Sequence, residues 1–255
     1  MKWKVIGQNC IGTSHLDSNK SCEDSIDYIL INNGEEEILL CCISDGAGSA
    51  KYAAEASSFV TKTVIYILSK WIDEKKEIDD NSIVALGEII FDSLSEKAKD
   101  KKVKLNEFSC TALGCIIFDK KALFFQVGDG VIIRDDNNQS YTAVWWPDNG
   151  EYSNTTHFLI DDYNLSFLKK VTIEESIKEV AILTDGLQLL TLNNENLSVH
   201  KPFFSDLFKW LRLARNQNDI DVLNKRLYQY LDSDTINART DDDKTLLLAT
   251  RLGND

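Results

Sequence analysis

Proline is nearly missing from this 255-residue chain, which has 2 prolines and 12 glycines. So few chain breakers exclude a collagen-like or Pro-rich, low-complexity polymer. Basic residues are in short supply as well: 28 Lys and Arg stand against 41 Asp and Glu, for a formal net charge of −13. Nucleic acid and anionic membrane surfaces both call for a basic face, so neither is expected as a partner. No run reaches the roughly 18 apolar residues of a membrane span, and the opening MKWKVIGQNC has no apolar stretch of signal-peptide length. The six cysteines, Cys10, Cys22, Cys41, Cys42, Cys110 and Cys115, include no C-x-x-C spacing, which argues against a zinc ribbon. Four of them lie in or beside apolar runs, where cysteine acts as a small hydrophobe, and the Cys41–Cys42 pair reads as packing and not redox chemistry. A reduced cytoplasm is the simplest setting. Internal repeats and low-complexity linkers are also lacking.

What the chain does have is a hydrophobic content of 43%, enough for a sizeable core. Strand patterns fall at 3–9, 25–32, 37–44, 109–118, 122–127, 131–135, 140–144, 157–160, 171–174, 179–184 and 245–251. Turn-rich links such as NNGEE and DDNNQ join several of them, and FDKKALFF reads as a tight hairpin around residues 119–121. A helical stripe runs through 50–72 at Ala53, Ala56, Val60, Val64, Ile67 and Trp71. Another, Ile83, Leu86, Ile90 and Leu94, runs through 82–99, with Ser82 as the expected N-cap. Further helices are expected near 205–214 and 219–231, and Trp71 and Trp210 fit their helices' core faces. Strands outnumber helices and most connections are short. That predicts an α+β fold built on antiparallel sheets with helices outside, and not alternating βαβα units.

The chemistry-bearing residues are aspartates at strand ends. LLCCISDGAGSA is an apolar run that stops at Asp45 and passes into a Gly-rich turn; VAILTDGL does the same at Asp185. An ionised carboxylate at the edge of a core is costly unless paired or metal-bound. A following glycine lets the backbone approach a ligand. Asp24 in SCEDS, Asp129 in FQVGDG, and Asp242 and Asp243 in TDDDKT stand at similar edges. Asp-Gly is also a common turn dipeptide, and each one alone reads as a turn. The set, with no His or Cys ligand cluster beside it, suits a hard, oxygen-preferring cation such as Mg²⁺ or Mn²⁺.

NKSCEDS, ISDGAGSAKYAAEAS, CTALGCIIFDKKALFFQVGDG, AILTDGL and DDDKTLLLA follow one another in an order that resembles the PP2C-type metal-dependent Ser/Thr protein phosphatases. The bacterial branch, whose first motif runs G-x-S-H and then C-Q-D or E-D, is the nearest resemblance, and it covers the chain from Gly12 to Ala249. It implies a single domain over residues 1–255 with an αββα sandwich, two antiparallel sheets each covered by a pair of helices. It also implies that Asp45 bridges two metals and Gly46 lends its backbone carbonyl. Asp185 and Asp242, with Asp243 as a rival, would ligate the other metal. Asp24 would hold metal-bound water, with Glu23 beside it, and Asp129 would help bind a third, looser ion. Two divalent cations so held, about 4 Å apart, could neutralise a phosphomonoester and acidify a shared water for attack on phosphorus, with no phosphoenzyme. The implied substrate is a phosphorylated protein, opposite a Ser/Thr kinase.

Two departures from the family pattern bear on substrate handling. Where many members have an arginine for the substrate phosphate, this chain has Asn19; Lys20 is adjacent and can serve as a point charge, or can be a solvated loop lysine. Where many have a histidine after the second-motif DG, it has Ala47, which leaves His15 as the nearest proton donor or phosphate contact, or as a structural histidine. These gaps motivate an alternative, a catalytically weak PP2C-like module that binds a partner or phosphopeptide. His157 and His200 read as structural or exposed, and the adjacent Trp145 and Trp146 as split between core and surface.

Overall fold

Continuous apolar runs become strands buried on both faces, and the 3.6-residue stripes become helices lying along one face of each sheet. The computed structural model describes residues 2–147 and 156–252. In chain order the elements are β1 (Lys4–Cys10), α1 (Thr13–Asp17), β2 (Ser25–Asn32), β3 (Glu37–Ser44), α2 (Ala53–Asp73), α3 (Asp80–Lys101), a 3₁₀ turn (Leu105–Phe108), β4 (Ala112–Ile117), β5 (Ala122–Val127), β6 (Val131–Asp135), β7 (Tyr141–Ala143) and β8 (Lys169–Ile173). Then come β9 (Glu179–Leu183), a 3₁₀ turn (Asp185–Leu187), α4 (Gln188–Thr191), β10 (Leu192–Asn193), β11 (Ser198–Val199), α5 (Lys201–Leu213), α6 (Gln217–Leu231), α7 (Asp234–Asn237) and β12 (Lys244–Thr250). The chain divides into two compact units, one of Met1–Cys22, Gly130–Pro147 and Ile177–Asp255, the other of Glu23–Asp129 and Asp148–Ser176.

The first unit contains an antiparallel sheet of order β1-β12-β9-β6-β7 and the small β10-β11 ribbon. Ile6, Val131, Ile133, Leu183, Leu246 and Leu248 on the sheet pack against Phe204, Phe208 and Leu211 of α5 and Leu227 and Leu231 of α6. The second unit contains the antiparallel sheet β2-β3-β4-β5-β8. There Leu40, Cys42, Ile116, Leu123 and Phe125 meet Val60, Val64 and Leu68 of α2 and Ile83, Leu86, Ile90 and Leu94 of α3. Alternate residues of β3, Leu39, Cys41 and Ile43, are as buried as their neighbours, which explains why the run is continuously apolar and not alternating.

Five sequence expectations are corrected. The strand expected at 157–160 is a turn: Phe158 N donates to Asp161 Oδ2 at 2.8 Å, Asp161 N to the Phe158 carbonyl at 3.1 Å, and Leu159 and Ile160 are buried by packing and not by a ladder. The strand expected from Ser109 starts at Ala112, because residues 109–111 wrap around the end of β3 instead. Asp79, not Ser82, caps α3: its side chain accepts Ser82 N at 2.8 Å while Ser82 Oγ accepts from Asp79 N, a reciprocal capping box. Trp210 is 56% exposed and leaves its helix's core face, whereas Trp71 packs partly buried against the α2–α3 core. Trp145 and Trp146 are both half-buried, and so do not split. The sheet-and-helix pattern and the 118–121 hairpin turn, closed by Phe118 N to the Lys121 carbonyl at 2.9 Å, are as expected.

Candidate functional site

In the second unit the tip of β3 is tied down before it releases Asp45. Ser44 Oγ donates to the Thr111 carbonyl at 2.5 Å, Asp45 N to Thr111 Oγ1 at 2.9 Å, and Thr111 N to the Asp45 carbonyl at 2.8 Å. Gly46 then bridges Cys110 and donates to the Glu23 carbonyl at 3.1 Å. A Cβ at Gly46 would sit 2.7 Å from the Ala53 carbonyl and 2.8 Å from that of Glu23, so only glycine fits. Beyond it Ala47, Ala50 and Ala53 form a small-residue floor with Phe158. Ala47 offers no proton donor where the family pattern has histidine. Glu23 and Asp24, just before β2, are both buried.

Asp129 follows β5 and Gly128, whose φ of +114° demands glycine. Thr156 Oγ1 donates to its Oδ2. Asp45 and Asp129 are half-buried and bring carboxylate oxygens within 4.8 Å of each other. A cation held at about 2.1 Å from each of two oxygens spans roughly that gap. Carboxylates and a backbone carbonyl are the donor set that hard cations prefer, so these residues fit Mg²⁺ or Mn²⁺.

In the first unit Asp185 opens the 3₁₀ turn after β9, and Thr184 anchors it by accepting Thr245 N at 3.0 Å. A Cβ on Gly186 would lie 2.1 Å from the Asp243 carbonyl oxygen, so the DG turn and the DDD loop touch backbone to backbone. Asp243 is buried and committed: its Oδ1 accepts Gly12 N at 2.7 Å and its Oδ2 lies 3.0 Å from His15 Nδ1. Ser14 N and Oγ both donate to the Asp241 carbonyl, at 2.9 and 2.8 Å, which docks α1 onto the same loop. Asp242 Oδ1 accepts Asp243 N at 2.8 Å. Its residue surface is open on one side, yet crowding by surrounding atoms, with Asp243 and Asp241 adding like charge, pushes its carboxyl above the ordinary range. Lys20 is exposed just past α1.

No local motif points to the Thr111 latch, to Thr156 or to the Asp243–His15 pair. Each joins segments far apart along the chain, and Thr111 and Thr156 sit in no motif of their own. His157 stacks on Phe167 with ring centroids 3.6 Å apart, and His200 precedes α5 with Nδ1 3.2 Å from the Leu190 carbonyl, both structural placements. No described helix is long and apolar enough to cross a membrane.

A family profile described as Protein phosphatase 2C matches residues 11–232. The chain belongs to the protein phosphatase 2C family. This phosphatase is 33% identical over 252 residues to Serine/threonine-protein phosphatase 3 of Escherichia coli (strain K12), covering 98% of each chain. Among solved structures it is similar to Serine/threonine phosphatase Stp1 from Staphylococcus aureus, at a TM-score of 0.65 and 15% identity over 99% of this chain and 96% of that one. It is also similar to RsbX in complex with magnesium, at 0.57 and 17% over 97% and 94%. Likeness at these identities shows the fold, and the α+β class with two antiparallel sheets flanked by helices is the one observed. The phosphatase reading is favoured over the non-catalytic module, because a named phosphatase matches along 98% of the chain.

Proposed function

We propose that residues 1–255 form one domain that removes phosphate from phosphoserine and phosphothreonine in protein substrates, in the cytoplasm and opposite a Ser/Thr kinase. The observation that carries this is the pair Asp45 and Asp129, which follow β3 and β5 of one sheet and bring oxygens within 4.8 Å, in a chain of this family. Asp45, the Gly46 carbonyl, Asp185 and Asp242 would hold two Mg²⁺ or Mn²⁺ ions, Asp24 one of them through water, and Asp129 a third. Asp242 is preferred to Asp243 because both Asp243 oxygens are already engaged, by Gly12 N and His15. Bound divalent cations supply charge neutralisation for the phosphoryl oxygens and an acidified water.

The chain's own residues do the positioning. The Thr111 latch fixes where Asp45 projects, so no reorganisation is needed when substrate arrives. Asp243 Oδ2 stands 3.0 Å from His15 Nδ1, and His15 is the candidate proton donor to the leaving alkoxide or contact for the phosphate. Lys20 is the candidate phosphate contact. Phosphate release from a phosphothreonine peptide should require added Mn²⁺ and vanish with chelator; an Asp45→Asn protein as active as the parent would sink the reading.

A further inference from the structure

Within the first unit a cavity of about 630 Å³ opens beside β6, β9 and α5, a volume typical of small-molecule sites. Its anionic lining is already satisfied. Glu179 is buried and accepts Arg212 Nε at 2.8 Å, Arg212 Nη2, the Tyr141 hydroxyl at 2.9 Å and Thr250 Oγ1 at 2.8 Å. Asp135 is buried and accepts the backbone N–H groups of Lys178 at 2.8 Å and Glu179 at 2.9 Å. Its cationic lining is not satisfied. Among the described residues the ammonium groups of Lys178 and Lys209, and Nη1 of Arg212, have neither an ion-pair nor a hydrogen-bond partner.

Lys178 and Lys209 are exposed at the cavity's rim, and Arg212 stands between them and the buried Glu179. The guanidinium is also preorganised. Glu179 and Tyr141 fix its plane, and the Tyr141 ring is itself stacked on Phe208, with centroids 5.4 Å apart. A ligand anion would therefore meet one rigid cation and two adjustable ones, so little ordering is left for the complex to supply. Leu213 and Leu252 complete the wall with apolar surface for a carbon body.

We propose that this cavity binds a small polyanion, an organic phosphate or a polycarboxylate, through Lys178, Lys209 and Arg212. The cavity's lining shares no residue with the acidic set assigned to catalysis, so the proposal stands or falls independently of the hydrolytic reading. The test is calorimetric titration of the intact protein with two probes that cannot be hydrolysed, 3-phosphonopropionate and tricarballylate. At least one should bind saturably and weaken as salt is raised, and the probe that binds tells phosphate from carboxylate chemistry. The double variant Lys178→Glu, Lys209→Glu should lose about tenfold or more in affinity. Lys201→Glu, on the same helix but outside the cavity, should not, and both proteins should keep parental turnover of an aryl phosphate without ligand. In the parent, the binding probe should also slow reductive methylation of Lys178 and Lys209, read by peptide mass. Equal binding by parent and double variant, no saturable binding of either probe, or unprotected lysines would each overturn the proposal.

Discussion

Replacing Gly186 by alanine is the sharpest probe of how the Asp185 turn is held. The added Cβ would start 2.1 Å from the Asp243 carbonyl oxygen, and the next atom it meets is the Asp243 carbonyl carbon at 3.2 Å. Real Cβ atoms essentially never approach closer than 3.0 Å, so the two segments must part by about 0.9 Å. Both partners are backbone, and the Asp243 side is pinned by Gly12 and His15, so no flexible side chain can absorb the strain. Overpacking of this kind costs about 1–3 kcal/mol of stability. Because the parting separates Asp185 from Asp242, it also moves two proposed ligands by about 1 Å, a misplacement that can lower a rate by about 10²-fold. Gly48→Ala is the control, since its Cβ would make an ordinary contact 3.7 Å from Glu23 Oε2. The assay is Mn²⁺-dependent hydrolysis of an aryl phosphate, with thermal unfolding alongside. A Gly186→Ala protein with parental kcat/KM and Tm, or a Gly48→Ala protein more damaged than it, would refute the reasoning.

Three other outcomes are expected. Arg212→Met strands the buried Glu179 carboxylate; the loss should be about 3 kcal/mol, at the low end for a broken buried pair because the guanidinium is partly exposed, or roughly 6–12 °C in Tm by differential scanning fluorimetry. Asp79→Ala removes the α3 capping box and should lower Tm at neutral pH. Ser82 holds the Asp79 carboxyl below its ordinary value, so this contribution is present above the unfolded carboxylate pKa and is lost as pH falls through the lowered folded one; the gap between the two melting curves should close in acid. Burial pushes Cys10 to about 11 and Cys110 to about 12, so native thiols at Cys41, Cys42 and Cys110 should ignore Ellman's reagent at mildly alkaline pH and react on denaturation. The same shifts make unfolded thiols ionise first, near their ordinary value of 9.0, so urea midpoints should fall as pH rises past it.

The order of strands and helices was legible from the chain because it is written in local periodicity. The apolar run 37–44 and the stripe from Ala53 to Trp71 carry their own period, whatever they pack against. The five aspartate motifs were legible for a related reason: a carboxylate at the very end of a strand pattern is a local anomaly. Tertiary structure decided everything that depends on a distant partner. Thr111 lies 66 residues from the Asp45 backbone it grips, and Gly12 lies 231 residues from the Asp243 carboxylate that receives it. Such a pairing costs chain entropy to close and leaves no trace in the composition near either end. The DDD loop therefore read as ambiguous between Asp242 and Asp243 until α1 was seen to occupy one of them. The short helix over TSHLD, the exposure of Trp210 and the unanswered cations at Lys178 and Lys209 were hidden for the same reason. One-dimensional pattern records which side chains need burial, but only the folded chain records which neighbour each one received.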